Sequence, residues 1–343
     1  MIKVLVVDDS RVMTKLLSRI LERDAAIEVV GTAGDGAQAL EKIEALKPDV
    51  VTMDIEMPVM NGIETLKQIM ATNPIPVIML STLTRDHADI TMEALALGAC
   101  DFVTKDFSNS LLADKEQELI SKIKDVARNR VKLLLRGLVS HQERPVSLSP
   151  AKASGRKGIV CIGASTGGPP ALQYILSHLP GNFPVPIVIA QHMPRLFTQS
   201  FAERLNKVSE LTVKEAEEKE ILEPGVALVA PGDTHIALKR KGRQVAVEFY
   251  LNGQYVYRPS VDLLMSSTAS AYEPNSMVGT ILTGMGSDGV VGMKELKSKG
   301  GYVIAQNEET CVVYGMPKAV VNARLADAVL PIGRIPEEIM KIL

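Results

Sequence analysis

The stretch Lys157-Gly-Ile-Val-Cys-Ile-Gly-Ala-Ser165-Thr-Gly-Gly-Pro169 predicts a buried strand over 159–162, a tight turn, and a helix that begins near Pro169. Ser165 stands at the apex of the turn, between Gly163 and Gly167, in a G-x-S-x-G spacing that exposes a serine hydroxyl. The start of the helix adds backbone N–H groups and a positive dipole end, which suit a developing oxyanion. The turn therefore predicts a nucleophilic serine, provided that the chain also supplies a base.

The same turn has a second interpretation. A strand, a glycine-rich loop and a helix are also how dinucleotide-binding folds hold a pyrophosphate. In such a fold the next strand ends with Asp or Glu, which binds the ribose. Here the next predicted strand, 186–190, is followed by Gln191 and His192. Both interpretations stay open on the local sequence alone.

Length, charge and cysteine content limit the class of protein. The chain has 343 residues, enough for two domains with separate cores, and its net charge of −2 gives no sign of a nucleic-acid partner. Cys100, Cys161 and Cys311 are widely spaced, which predicts reduced thiols rather than disulfides or a zinc site. The chain begins directly in a predicted strand, and no apolar run reaches the ~20 residues of a membrane span. We expect a cytoplasmic protein without membrane insertion.

The alternation of short apolar strands and amphipathic helices divides the chain into three regions. Residues 1–127 predict a doubly wound α/β domain with a parallel five-stranded sheet. Residues 128–157 carry the end of a helical pattern and a linker with Pro, Ser and Gly. Residues 158–343 predict a second doubly wound α/β domain with a mostly parallel sheet and a β-hairpin. The predicted strands of the first domain are 3–7, 28–33, 50–54, 77–80 and 101–104.

A basic cluster, Lys239-Arg240-Lys241-Gly242-Arg243, lies within the second domain. It could bind phosphates or anionic lipid, or it could be the solvated turn of a hairpin. The hairpin is favoured, because Gly242 readily adopts the positive φ of a tight turn and the surrounding domain is neutral.

Polar side chains follow the strands of the first predicted sheet. Asp8 and Asp9 end the first strand, Asp54 ends the third, and Ser81 and Lys105 follow the fourth and fifth. Because the carboxyl ends of parallel strands meet at one edge of a sheet, we expect these side chains to converge. Converging carboxylates repel one another unless a hard cation such as Mg²⁺ joins them. A metal beside one carboxylate, with a lysine and a hydroxyl facing it, predicts phosphoryl transfer to Asp54.

At these positions residues 1–127 resemble a response-regulator receiver domain. The resemblance continues through Asp54-Ile-Glu-Met-Pro-Val-Met-Asn-Gly62, which matches the receiver's segment around the phosphoacceptor. It implies a Mg²⁺ ion held by the carboxylates of Asp8, Asp9 and Asp54 and by the backbone carbonyl of Glu56.

The receiver resemblance also implies roles around the phosphate. Asp54 accepts the phosphoryl group, Ser81 donates a hydrogen bond to it, Lys105 pairs with it, and Phe102 is the aromatic switch residue. One position departs from the pattern, because Asp106 follows Lys105 where receivers usually have proline in a cis bond. The resemblance therefore does not imply the geometry of that loop.

Two histidines are candidates for the base that Ser165 needs. His192 follows directly on the predicted strand 186–190, which should lie beside the strand that bears Ser165. His235, in Ala230-Pro-Gly-Asp-Thr-His235, is the alternative. His192 is favoured, since strand ends of neighbouring parallel strands gather at one sheet edge.

An acid must then orient the imidazole and stabilise its charged form. Asp288 lies in another strand-to-turn sequence rich in glycine, whereas Asp233 and Asp262 are alternatives. The preferred order of Ser165, His192 and Asp288 differs from the Ser–acid–His order of α/β-hydrolases. The chain is therefore predicted to carry a serine triad outside that fold family.

Residues 158–343 resemble the chemotaxis methylesterases of the CheB family over nearly their whole length. The matching motifs are Gly163-Ala-Ser165-Thr-Gly-Gly-Pro169, Gln191-His192-Met-Pro194, Ala230-Pro-Gly-Asp-Thr-His235, Arg258-Pro-Ser-Val-Asp262 and Thr283-Gly-Met-Gly-Ser-Asp-Gly289. The resemblance implies that Ser165, His192 and Asp288 are catalytic and that the N–H groups of Thr166 and Met285 form the oxyanion hole. It implies no metal or cofactor in this domain.

The resemblance also implies the substrate and the regulation. The reaction is hydrolysis of glutamate γ-methyl esters on methyl-accepting chemoreceptors, with release of methanol, together with deamidation of receptor glutamines. A chemotaxis histidine kinase is the phosphodonor, and the unphosphorylated receiver covers the catalytic cleft until Asp54 is phosphorylated. The alternative is a receiver-controlled signalling module without enzymatic activity, which binds a nucleotide or a protein partner. A DNA-binding output is disfavoured, because residues 158–343 lack a basic helix-turn-helix pattern.

Overall fold

The computed structural model describes residues 1–106, 112–128, 158–251 and 255–343. The chain divides into two compact units, the first ending at Gln142 and the second beginning at Glu143. Beyond Arg128 the predicted linker lies outside the described residues, so the domain boundaries at 127 and 157 stay predictions. Within the described part of the chain, no helix combines the length and the apolar composition that a membrane crossing requires.

The first unit contains a five-stranded parallel sheet, in the order β2-β1-β3-β4-β5, as predicted. All five predicted strands are confirmed, each within one residue at either end. The two strands β3 and β4 are buried along their whole length, as expected where helices cover both faces of a parallel sheet. The elements of this unit are β1 (Ile2–Val7), α1 (Arg11–Leu21), β2 (Ile27–Ala33), α2 (Gly36–Leu46), β3 (Val50–Asp54), α3 (Gly62–Thr72), β4 (Val77–Ser81), α4 (Arg85–Ala96), β5 (Asp101–Thr104) and α5 (Leu112–Arg128).

The second unit contains a seven-stranded parallel sheet, in the order β14-β13-β12-β6-β7-β9-β8, and a separate two-stranded hairpin of β10 and β11. The predicted sheet with a hairpin is therefore confirmed. Its elements are β6 (Ile159–Ala164), α6 (Gly168–Ser177), β7 (Ile187–Gln191), α7 (Arg195–Val208), β8 (Thr212–Glu215), β9 (Val226–Val229), β10 (His235–Lys241), β11 (Gln244–Tyr250), α8 (Val261–Ala271), β12 (Met277–Ile281), α9 (Val290–Ser298), β13 (Tyr302–Gln306), α10 (Met316–Asn322), β14 (Ala328–Leu330), a 3₁₀ turn (Ile332–Arg334) and α11 (Ile335–Ile342).

The hairpin explains the basic cluster. Lys241 pairs with Gln244, so Gly242 and Arg243 form a two-residue loop, in which Gly242 has φ 64°. The basic side chains are solvated, whereas Val245 and Val247 of β11 point into the hydrophobic core of the unit. The hairpin interpretation of the cluster is therefore confirmed.

Three neighbouring strands bring the predicted catalytic turns together. β6 lies between β12 and β7, with Gly163 opposite Ile281 on one side and Ala164 opposite Gln191 on the other. Because all three strands are parallel, the turns that follow them emerge side by side at the carboxyl edge of the sheet. This register places the Ser165 turn between the His192 loop and the loop that carries Asp288.

Val59, in the first unit, has a backbone conformation that is unfavourable for valine. Val59, in the loop after β3, has φ 66° and an 88% exposed side chain. A β-branched residue is strained in this left-handed region, whereas Asn tolerates it. We expect Val59→Asn to raise the free energy of unfolding by about 1 kcal/mol, measured by urea denaturation.

The matched control for this prediction is Val12→Asn. Val12 is 78% exposed in helix α1, where Val and Asn have similar helix propensities. The control should leave the unfolding free energy nearly unchanged. Equal shifts in the two variants would show that the gain at position 59 does not come from relief of backbone strain.

Candidate active site and phosphorylation site

The turn after β6 presents Ser165 and buries its neighbours. Ser165 is half-buried, whereas the residues from 159 to 164 and from 166 to 169 are buried. Its N–H donates to Thr283 O at 3.0 Å, and its carbonyl accepts from Gly168 N at 2.7 Å. Gly167 has φ 76°, and a Cβ atom there would lie 2.5 Å from the Val312 Cβ, so the turn requires glycine. Backbone hydrogen bonds thus hold the turn and leave the hydroxyl for chemistry.

The first turn of α6 does not supply the N–H donors that the sequence led us to expect. Pro169 and Pro170 have no N–H, and the N–H of Gly168 is bonded to the Ser165 carbonyl. The positive end of the helix dipole still lies at the turn. Hydrogen-bond donors for an oxyanion must therefore come from the serine turn itself or from a neighbouring turn.

Gln191, which sequence reasoning did not single out, ties the serine turn to the histidine loop. It ends β7 with 2% of its surface exposed, and its Nε2 donates to the carbonyls of Ser165 and His192, both at 3.0 Å. In addition, His192 N donates to Ala164 O at 3.0 Å. An amide side chain at the last position of an otherwise apolar strand was the sequence signal for this brace.

His192 and Asp288 form the predicted pair. His192 Nε2 lies 2.8 Å from Asp288 Oδ2, and both side chains are largely buried. Among the described residues, His192 Nδ1 is buried without a hydrogen-bond partner. A carboxylate accepts only, so Nε2 carries the proton and Nδ1 has the free lone pair. The nitrogen left for proton transfer is therefore Nδ1.

The first turn of α8 stabilises the negative charge of Asp288. Val261 N donates to Oδ2 at 2.8 Å, while Asp262 N and Ser260 Oγ donate to Oδ1 at 2.9 and 3.2 Å. Burial raises the pKa of Asp288, but the hydrogen bond to His192, the charge of that ring and the two backbone N–H groups outweigh it and hold the pKa below its usual value. Asp288 is therefore ionised whenever His192 is needed as a base.

Asp262, one of the two alternative acids, has a different partner. Its Oδ1 accepts from Gly289 N and Gly292 N, both at 2.9 Å, at the start of α9. Asp288, which precedes α9, binds the start of α8, so each carboxylate caps the other helix. Asp262 supports the loop of Asp288 and makes no hydrogen bond to His192 in the described structure.

His235 and Asp233 do not form an alternative pair. His235 is fully buried at the start of β10, and neither ring nitrogen has a hydrogen-bond partner among the described residues. Burial, together with the charge of Arg258, lowers its pKa. Asp233 is exposed, with φ 60°. The geometry favours His192 as the base.

The predicted oxyanion donors lie on the two turns that flank Ser165. A Cβ atom at Gly284 would lie 2.8 Å from the Ser165 Cβ, so only glycine lets the turn that carries Met285 come this close. Thr283 Oγ1 donates to the Thr166 carbonyl at 2.9 Å and joins the two turns. The roles of the Thr166 and Met285 N–H groups stay predictions.

The first unit brings its acidic residues together. One carboxylate oxygen from each of Asp8, Asp9 and Asp54 lies within 4.8 Å of the others, and Lys105 Nζ contacts Asp8 Oδ2 at 2.7 Å and Asp54 Oδ2 at 2.6 Å. Burial raises the pKa of Asp54 despite the opposing effect of Lys105. Hard oxygen ligands from carboxylates are those that Mg²⁺ prefers, so these residues fit that ion. The Glu56 carbonyl as a further ligand stays a prediction.

The structure gives the surroundings of Ser81 and Phe102, whose roles at the phosphate and as the switch stay predictions. Ser81 ends β4, its Oγ accepts from Thr91 Oγ1 at 2.9 Å, and its carbonyl accepts from Lys105 N at 2.8 Å. Phe102 is buried, with Lys122 Nζ 5.6 Å from its ring centroid. The Lys105–Asp106 bond is trans in the described backbone. Lys105 therefore contacts both carboxylates although the bond that follows it is trans.

The two units together define a class of protein, a response regulator whose receiver is joined to an α/β output domain. Residues 4–116 match the family model of the response regulator receiver domain, and residues 160–339 match that of CheB methylesterase. The chain belongs to the CheB methylesterase family, as the sequence motifs predicted.

Similar proteins support this assignment across the full chain. The protein-glutamate methylesterase/protein-glutamine glutaminase of Lawsonia intracellularis (strain PHE/MN1-00) is 46% identical, with 100% of this chain and 99% of the relative covered. The enzyme of that name from Thermotoga maritima is also 46% identical, with 100% and 98% covered. The crystal structure of the Thermotoga maritima CheB methylesterase catalytic domain covers 55% of this chain and 100% of its own, with 46% identity and a TM-score of 0.54.

Proposed function

We propose that this protein hydrolyses glutamate γ-methyl esters on methyl-accepting chemoreceptors, with release of methanol, and deamidates receptor glutamines. The observation that carries the proposal is the 2.8 Å contact between His192 and Asp288, beside the turn that presents Ser165. The names of the similar proteins, which include both a methylesterase and a glutaminase, support the two activities. A serine at the apex of a tight turn and a histidine paired with a carboxylate supply the residue types that acyl transfer through a serine nucleophile requires.

In the first half of the reaction, Ser165 Oγ attacks the ester carbonyl carbon while His192 Nδ1 takes the hydroxyl proton. The imidazolium then returns this proton to the departing methoxide, which leaves as methanol, and the glutamyl group stays on Ser165 as an ester. Asp288 remains ionised and holds Nε2–H throughout. The N–H groups of Thr166 and Met285 stabilise the oxyanion, each by about 3 kcal/mol.

In the second half, His192 Nδ1 takes a proton from water, whose oxygen attacks the acyl group. The proton returns to Ser165 Oγ as the carboxylic acid leaves, so ester and water become acid and methanol. Deamidation follows the same steps, with ammonia as the leaving group in place of methanol. Because an amide nitrogen leaves only after protonation, deamidation depends on the protonated form of His192 even more than ester hydrolysis does.

Methanol release separates this proposal from the non-enzymatic alternative. The full chain is incubated with chemoreceptors that carry labelled methyl esters, and the volatile label is collected. We expect release in proportion to the amount of protein. Release no faster than in a sample without protein would overturn the proposal and favour a module that only binds a partner.

We also propose that phosphorylation of Asp54 by a chemotaxis histidine kinase raises the esterase activity and that this step requires Mg²⁺ held by the receiver. Bound Mg²⁺ would neutralise charge on the transferring phosphoryl oxygens. We propose a cytoplasmic location from this substrate and this kinase, and the three buried cysteines, none of which is in a disulfide, support it.

Metal removal tests this arrangement. With Mg²⁺ and a small phosphodonor such as acetyl phosphate, we expect methanol release to rise roughly tenfold, which corresponds to about 1.4 kcal/mol of bias towards an active state. EDTA should abolish the rise and leave the basal rate unchanged, because no step at Ser165 uses a metal. Asp54→Asn should retain the basal rate without activation. A basal rate that falls with EDTA would contradict a metal-free catalytic domain.

A further inference from the structure

An aromatic ring lies flat on the catalytic histidine. The rings of Tyr257 and His192 are stacked, with centroids 4.6 Å apart and planes inclined by 6°. Tyr257 is 40% exposed, so one face of its ring contacts the imidazole while much of the side chain is open to solvent. A Cβ atom at Gly286 would lie 2.9 Å from the Tyr257 hydroxyl, so the phenol also approaches the turn that carries Met285.

The residues on either side of Tyr257 in the segment 255–262 contact other parts of the second unit. Two residues before Tyr257, the Tyr255 ring packs edge-on against the buried His235 ring, with centroids 5.4 Å apart. On the other side, Ser260 caps α8 and donates to Asp288. One segment therefore contacts both members of the pair, His192 through a ring and Asp288 through hydrogen bonds.

We propose that Tyr257 is a positioning residue for His192, an inference that rests on the proposed esterase function. The Asp288 hydrogen bond restrains the imidazole along one direction in its plane, and the stacked ring restrains its tilt, so the direction of Nδ1 is fixed. The π face of Tyr257 also stabilises the imidazolium that forms when Ser165 loses its proton. Asp288 and Tyr257 are the titratable side chains that the described contacts place against His192.

Substitutions at Tyr257 in the full chain test the proposal, with methanol release from methyl-labelled chemoreceptors as the assay. Tyr257→Phe keeps the stacked ring and should stay within about twofold of the parent. Tyr257→Leu should lower kcat about three- to tenfold with KM unchanged. It should also move the acid-side midpoint of the pH–rate profile to lower pH, since the imidazolium loses its stacked ring. Tyr255→Leu is the matched control from the same segment and should leave that midpoint in place.

Three results would overturn the proposal. In the first, Tyr257→Leu has the kcat and the pH midpoint of the parent protein. In the second, Tyr257→Leu changes KM but not kcat. In the third, Tyr257→Leu and Tyr255→Leu lose the same fraction of kcat and neither shifts the midpoint. Ser165→Ala, assayed in parallel, separates this inference from the function on which it rests. Activity that persists in Ser165→Ala contradicts the proposed function, whereas an inactive Ser165→Ala beside a parental Tyr257→Leu contradicts the role of Tyr257 alone.

Discussion

Ser165→Ala should reduce methanol release from methyl-labelled chemoreceptors by about 10⁴- to 10⁶-fold, because the substitution removes the atom that forms the acyl intermediate. The hydrogen bonds that hold the turn use backbone atoms of Ser165, namely its N–H to Thr283 and its carbonyl to Gly168 and Gln191. The fold should therefore be unaffected, and the urea unfolding curve should match that of the parent. The loss should appear in kcat, since the alanine variant can still bind the receptor.

The control for this variant is Ser177→Ala, at the other end of α6. Ser177 Oγ donates to Tyr174 O at 3.0 Å and is exposed. Its removal should leave the rate of methanol release unchanged. If Ser165→Ala released methanol at the parental rate, the nucleophile would lie elsewhere, and the assignment of this turn as an active site would be wrong.

Asp288→Asn should lower kcat by about 10³- to 10⁴-fold, although the side chain keeps its size. Asp288 Oδ1 accepts from Asp262 N, and Oδ2 accepts from Val261 N. In either orientation, the NH₂ group of the new asparagine therefore faces a hydrogen-bond donor. If the NH₂ group faces His192, Nε2 must accept and the proton moves to Nδ1. The base then has no lone pair for the Ser165 proton.

The same variant should be less stable by about 2–4 kcal/mol, because a buried charged hydrogen-bond network loses one acceptor. Urea unfolding measures this change, and kcat is compared at a temperature where both proteins are folded. Asp262→Asn is the matched control, since the N–H groups of Gly289 and Gly292 bind a single oxygen, which asparagine can supply. Its kcat should stay within a few-fold of the parent. Comparable losses of kcat in the two variants would show that the effect at Asp288 is structural.

Much of the fold could be predicted because it depends on local pattern. Short apolar runs with a polar residue at the end predicted each strand of the first sheet within one residue. They also predicted that the turns after β6, β7 and β12 would meet, because parallel strands place their carboxyl ends at one edge. That rule places the turns of His192 and Asp288 at the same edge of the sheet, and the observed strand order then puts them on either side of the Ser165 turn. The motifs then led to the CheB methylesterase family.

Other features could not be predicted because they depend on side-chain packing between distant segments. In the sequence Gln191 is only a polar residue at a strand end, yet its amide joins the turn of Ser165 to the loop of His192. The sequence favoured Asp288 over Asp262 as the acid, but it did not show that each of the two carboxylates binds the start of the helix that the other precedes or begins. The sequence showed that the two prolines of α6 have no N–H to donate. Only the structure showed that the N–H of Gly168 is also unavailable, because it donates to the Ser165 carbonyl.

By itself, the sequence determined which residues stand at strand ends, and through them the acidic cluster around Asp54 and the serine at the apex of its turn. Periodicity and turn composition suffice for this, since backbone sterics act over a few residues. The tertiary structure alone decided which ring nitrogen of His192 has no hydrogen-bond partner and which aromatic ring stacks on the imidazole. Those choices depend on directions and distances of a few tenths of an ångström between segments far apart in the chain, and only packing sets them.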